Sequence, residues 1–218
     1  ITNRYESGVR TGKSPHWGGA LVRREATGYG TVFFVEEMLR ARGQSLDGRR
    51  CVVSGSGNVA IYAIEKLQQG GALVVACSDS NGVIHDPDGI SLETVKQLKE
   101  VERRRISDYV AHRPRATYHA GGSIWDIPCE VALPCATQNE LGENAARRLV
   151  ANGCIAVAEG ANMPTTPGGI RVFQEARIAY GPGKAANAGG VATSGLEMHQ
   201  NASRDACTFE HTERRLQA

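Results

Sequence analysis

Residues 51–67 read CVVSGSGNVAIYAIEKL. Cys51, Val52 and Val53 form a short apolar, β-favouring run that suits a buried parallel strand. From Asn58 onward, Val59, Ala60, Ala63, Ile64 and Leu67 recur at helical spacing. Between strand and helix sits Gly55-Ser56-Gly57-Asn58-Val59-Ala60, a G-x-G-x-x-A turn. Gly55 permits the tight turn, Gly57 lets backbone approach a pyrophosphate, and Ala60 lets the helix pack close to the strand. The unpaired N–H groups at the start of such a helix face an anion. This turn alone fits an ordinary strand–helix junction as well as a dinucleotide site.

Its surroundings favour the dinucleotide. The helix stops near Gly70-Gly71, and a second apolar strand runs from Ala72 to Cys77. That strand ends at Ser78-Asp79-Ser80, where a ribose-reading side chain belongs. An acidic Asp79 favours a free ribose 2′-hydroxyl and hence NAD. Arg103 and Arg105 pull the other way, because guanidinium groups there would meet a 2′-phosphate. The alternative is that Arg103–Arg105 merely complement a helix end.

Elsewhere strands and helices alternate. A helix is expected from about Glu25 to a stop at Gly43, and Ser91 caps another whose last turn holds Arg103–Arg105. Between them NGVIHDPDG (81–89) reads as a turn-rich loop. Strands are expected at Cys129–Leu133, Ile155–Ala158 and Ile178–Tyr180, with helices at Glu140–Asn152 and Ile170–Ala176. From Asn187 to the end one helical pattern continues. The expected fold is α/β, a doubly wound Rossmann-like dinucleotide-binding domain over 1–218. Both ends look cut from a longer protein.

Three loops after successive strands, PCATQNE (134–140), EGANMPTT (159–166) and GPGKAANAGG (181–190), are rich in small amides and hydroxyls. Such groups suit ribose and carboxamide hydrogen bonds at strand carboxyl ends, although they also make ordinary turns. Asn187 belongs to this set. Lys184 reads as a solvent lysine, His16 as a surface residue, and Asp79 with Glu159 as ribose contacts or caps rather than a catalytic pair. No nucleophile–base constellation is evident, and no catalytic residue is assigned to this chain.

The composition excludes several other classes. A net charge of +2 argues for neither nucleic acid nor an anionic membrane. No apolar run approaches the ~18 residues of a membrane span. Six cysteines show no C-x-x-C pairing; Cys51, Cys77 and Cys154 read as reduced, buried and apolar, which fits a cytoplasmic protein. Histidine spacing gives no metal site.

GGALVRREATGYG (18–30), VSGSGNVAIYAIEKL (53–67), LPCATQNEL (133–141), VAEGANMPTT (157–166) and PGKAANAGGVATSGLEM (182–198) together resemble the cofactor-binding half of NADP-dependent glutamate dehydrogenases. The resemblance implies NADP as cofactor and reversible conversion of L-glutamate to 2-oxoglutarate and ammonium. It implies that Thr27 contacts the nicotinamide end, that Asn58 is a second cofactor contact, and that Ala136, Thr137 and Asn162 neighbour ribose and nicotinamide. Ser194 is similar to the serine that holds the substrate side-chain carboxylate, with Val191 beside it. The family's catalytic lysine and aspartate would precede Ile1, and residues 187–218 would begin the helical return toward that missing domain. A homohexamer is implied for the full-length protein. Ala20 and the run Pro167-Gly168-Gly169 depart from the family pattern without touching an assigned contact. Two rivals remain: a leucine, phenylalanine or valine dehydrogenase relative, and a non-catalytic nucleotide-binding module.

Overall fold

The computed structural model describes residues 10–217, so residues 1–9 and 218 of the expected 1–218 domain lie outside the described residues. A seven-stranded sheet runs through the molecule in the order β4-β3-β2-β1-β5-β6-β7. The quoted stretch supplies its centre: β1 (Arg50–Val53), the turn, and α2 (Asn58–Gln69) leading to β2 (Leu73–Asp79). β1 pairs in parallel with β2 on one side and β5 (Val131–Leu133) on the other. β6 (Ala156–Ala158) and β7 (Ala179–Gly181) extend the parallel half, joined by α4 (Glu143–Ala151) and α5 (Pro167–Glu175).

Alternation along β1 explains the two layers. Cys51 and Val53 join the core beneath α1 (Ala26–Arg40) and α2, with Val32, Val35, Ile61, Ile64 and Leu67. Val52 points to the opposite core, where Leu149 of α4 and Phe173 of α5 are fully buried. One period-two strand therefore anchors helices on both faces.

Four expectations need correction. NGVIHDPDG is not all loop: its Gly82–His85 form β3, antiparallel to β2 across a tight Ser80–Asn81 turn. Buried Val83 and Ile84 hold it there. An unforeseen β4 (Thr117–Ala120) adds antiparallel to β3, making the sheet mixed. Ser91 does cap α3 (Leu92–Lys96), its hydroxyl accepting from Thr94 N–H at 3.3 Å, but the helix runs through one wide turn and ends at Val101. Arg103–Arg105 therefore sit in the following loop, with Arg103 at φ +54°. Helix α4 starts at Glu143, not Glu140, because the Glu140 side chain turns back toward β1.

The departure at Pro167 proves compatible with a helix start: Thr166 caps α5 and the proline occupies its first turn, where no N–H is needed. A short α6 (Gly183–Ala186) precedes the terminal helical pattern, which resolves into α7 (Gly189–Ser203) and α8 (Phe209–Gln217), with the break at left-handed Arg204. Of the six cysteines, all free, Cys51, Cys77, Cys129, Cys135 and Cys154 are buried, and burial pushes the Cys77 thiol up to about 12. No described helix is long and apolar enough to cross a membrane.

Candidate functional site

Beyond the carboxyl ends of the parallel strands lies a cleft of about 710 Å³. Its position follows from the topology. Helix α2 leaves β1 on one face of the sheet and α4 leaves β5 on the other, which opens a crevice between these neighbouring strands.

The turn after β1 is built by short tethers. Ser54 is fully buried, and its hydroxyl accepts from Cys135 N–H at 2.8 Å. Gly55 adopts φ +89° and donates its N–H to Ser78 Oγ at 2.9 Å, so the end of β2 holds the turn. A methyl group on Gly57 would meet nothing within 4 Å, which leaves open space at the start of α2. No side chain caps that helix, so its first N–H groups face this space unclaimed. Ala60 is fully buried against the sheet and Val59 lines the cleft. Ser56 is buried, whereas Asn58 spends its amide on Arg24, donating to that carbonyl at 2.6 Å.

At the end of β2, Asp79 is not a free ribose reader. Its side chain is 6% exposed; Oδ1 accepts from Asn81 N–H at 2.8 Å and Oδ2 lies 3.4 Å from Ile106 N. The exposed guanidinium of Arg105 reaches Ser80 Oγ at 2.9 Å and stands 3.9 Å from Asp79. Arg103 is exposed and belongs to the same loop. Ser78, by contrast, is buried and serves the turn.

The remaining loops make the cleft walls. Ala136, Thr137, Asn162, Asn187, Thr27 and Val191 all line it. Asn187 donates to Asn162 Oδ1 at 2.9 Å and to Ala161 O at 3.2 Å, locking two loops together. Glu159 is buried and likewise structural, accepting from Gly183 N–H and Tyr180 OH at 2.7 Å each and from Thr165 N–H at 3.2 Å. Ser194 sits one turn further along α7, its hydroxyl donating to Gly190 O at 3.0 Å. Lys184 and His16 are exposed.

Sequence reasoning passed over Arg23, Gln138 and Gly190, which also line the cleft. Arg23 carries a buried Nε with no hydrogen-bond partner. The available signal was a cation within GGALVRREATGYG, just ahead of Thr27. Glu140 was also missed as anything but a helix start. Its Oε1 accepts from Ser54 Oγ at 2.8 Å, Ala136 N–H at 3.1 Å and Thr137 N–H at 3.3 Å.

Residues 18–218 match the family model described as Glutamate/Leucine/Phenylalanine/Valine dehydrogenase. The NADP-specific glutamate dehydrogenase of Helicobacter pylori is 54% identical, over 99% of this chain and 50% of its own length. Its counterpart in Escherichia coli is 52% identical over 95% of this chain and 47% of its own. Among solved structures, Plasmodium falciparum glutamate dehydrogenase superposes with a TM-score of 0.92 at 46% identity, covering 95% of this chain and 45% of that one. The chain thus spans about half the length of these relatives. Its neighbours in sequence and in fold agree, and the chain belongs to the glutamate/leucine/phenylalanine/valine dehydrogenase family.

Proposed function

We propose that this chain is the dinucleotide-binding half of an NADP-dependent glutamate dehydrogenase. The observation that carries this reading is the open space over Gly57, at the unclaimed start of α2 and beside a cleft lined by hydroxyls and amides. The pyrophosphate would lie against that helix start, and the nicotinamide end would reach Thr27, Asn162 and Asn187. The reaction is reversible: L-glutamate, water and oxidised NADP give 2-oxoglutarate, ammonium, NADPH and a proton. The bound cofactor supplies the hydride chemistry, while this chain orients the cofactor and keeps water from the cleft. Val191 and Ser194 form the substrate side, and the acid–base residues come from the part of the protein beyond this chain.

Asp79 and Arg105 favour NADP over NAD. An acidic side chain already engaged by backbone N–H groups neither reads a ribose hydroxyl nor strongly repels a phosphate, and the exposed Ser80–Arg105 pair offers donors to one. For the full-length protein we propose a cytoplasmic homohexamer; the Thermus thermophilus relative, 26% identical with a TM-score of 0.82, is described as hetero-hexameric.

Calorimetric titration of the chain with NADP and with NAD tests this reading. NADP is expected to bind tighter by roughly tenfold or more, equivalent to ~1.4 kcal/mol. The chain alone is expected to give no glutamate-dependent rise in reduced-nicotinamide absorbance. Failure to bind either dinucleotide would sink the proposal.

A further inference from the structure

We infer that Glu140 is a positioning residue for the dinucleotide, fixing the 135–137 turn onto the end of β1 so that one cleft wall is preformed. The inference rests on the reading of the cleft as a dinucleotide site. Three donors converge on a single carboxylate oxygen: the Ser54 hydroxyl from β1's end and the Ala136 and Thr137 N–H groups from the loop after β5. Ser54 then accepts from Cys135 N–H, closing a ring of bonds across the gap between β1 and β5. The flanking backbone extends the brace. Asn139 N–H donates to Met163 O and Leu141 N–H to Pro164 O, both at 2.9 Å, while Glu140's own carbonyl accepts from Trp125 Nε1 at 3.3 Å. Glu140 thus joins the loops after β1 and β5, its neighbours Asn139 and Leu141 tie in the loop after β6, and Ala136, Thr137 and Asn162 on those loops line the cleft.

A chemical consequence follows. Because the Ala136 and Thr137 N–H groups are committed to Glu140, this turn meets a ligand with carbonyls and the Thr137 side chain, not with backbone donors. An acceptor oxygen at this point keeps both N–H groups paired and so fixes the conformation of an otherwise exposed turn.

The test compares E140A and E140Q with the unaltered chain, together with Val172→Ala, a core change on α5 far from the cleft. Glutamine can keep an oxygen where Oε1 stands, whereas alanine cannot. E140A is expected to weaken NADP binding about tenfold or more, the size expected when one or two charge-assisted hydrogen bonds are lost. E140Q is expected to restore affinity to within about threefold, the loss of one weak hydrogen bond. Val172→Ala is expected to lower the melting temperature and leave affinity alone. In parallel, amide exchange at Ala136 and Thr137 in the free chain should accelerate in E140A and recover in E140Q. Unchanged affinity and exchange in E140A would overturn the inference. Affinity that merely tracks stability across all three variants would overturn it too. A chain that binds no dinucleotide, yet shows the exchange pattern, would defeat the functional reading and leave the turn-holding role standing.

Discussion

Two carboxylates withdrawn from solvent each tie distant segments together, and their surroundings differ in sign. Glu140 holds the sheet-side loops, with three neutral donors and no cation within ion-pair distance among the described residues. Burial pushes its pKa above the usual carboxylate range, and its hydrogen bonds counter that only in part. Glu197 stands on α7, whose first turn brings Gly190 and Val191 to the other wall. Burial pushes it up as well, but the Lys13 ammonium at 2.6 Å and the Gly12 N–H at 2.8 Å more than offset this and hold it below the usual range. One wall is braced by hydrogen bonds that a neutral oxygen could accept. Helix α7, whose first turn lines the other wall, is tied to Gly12 and Lys13 by contacts that include a charge pair joining residues 184 positions apart.

The largest expected effect breaks that charge pair. Lys13→Ala strands a fully buried carboxylate and should cost about 3–5 kcal/mol in urea unfolding, the usual penalty for removing one partner of a buried ion pair. Adding Glu197→Gln to it should recover part of the loss; no recovery would mean that the charges are not coupled. The pH dependence separates the two carboxylates further. Glu197's folded pKa is depressed, so its stabilisation is present above the unfolded value of ~4.3 and is lost as pH falls through the lower folded value. Glu140's folded pKa is raised, so the folded state binds the extra proton and stability falls as pH rises through the folded value. Glu197→Gln and Glu140→Gln should therefore tilt the stability–pH curve in opposite senses. A tilt in the same sense would refute the contrast.

This contrast also marks where sequence reading stops. The turn, β1, α2 and β2 were legible because strand period, glycine placement and helical period all agree within one short stretch. The loops after β5, β6 and β7 were legible as cleft walls because they follow strands in order. β3 escaped because its four residues lie between the turn signals at Asn81 and Asp86–Gly89, and β4 because, mostly exposed at the sheet edge, it lacks an alternating apolar pattern. Glu140, Glu159 and Glu197 escaped for another reason. Glu140 read as a helix start, Glu159 as a ribose contact or cap, and Glu197 was not singled out, while their donors Ser54, Gly183 and Lys13 lie 86, 24 and 184 positions away. Only tertiary structure reveals a carboxylate that collects backbone N–H groups.

A smaller effect should separate the glycine turn after β1 from both braces. Gly57 has φ −89° and ψ −170°, a conformation that alanine adopts without strain, and its Cβ would enter open space. Gly57→Ala should leave the melting temperature within about a degree, because a surface change with no clash falls within ±0.5 kcal/mol. The same methyl would stand where a pyrophosphate approaches, so NADP and NAD should both bind about tenfold weaker or worse, ~1.4 kcal/mol or more. Unchanged affinity for both would move the phosphates away from this turn.

The smallest effect concerns only the choice between two cofactors. Arg105 reaches Ser80 Oγ at 2.9 Å but stands 3.9 Å from Asp79, so its guanidinium is steered to the end of β2 without being consumed by a close ion pair. Its exposure means that pairing with Asp79 adds little stability, and Arg105→Ala should leave the melting temperature unchanged. A 2′-phosphate at Ser80 would lose a charge-assisted donor, whereas a 2′-hydroxyl would lose nothing of comparable strength. The NADP-over-NAD preference should therefore fall by about threefold, with NAD affinity nearly constant. Arg103, exposed and turned at φ +54° two residues earlier, contributes through longer-range charge, and removing it as well should erase most of what preference remains. Should the single Arg105 variant keep its full preference for NADP, discrimination lies instead with Ser80 and the backbone of the β2–β3 turn.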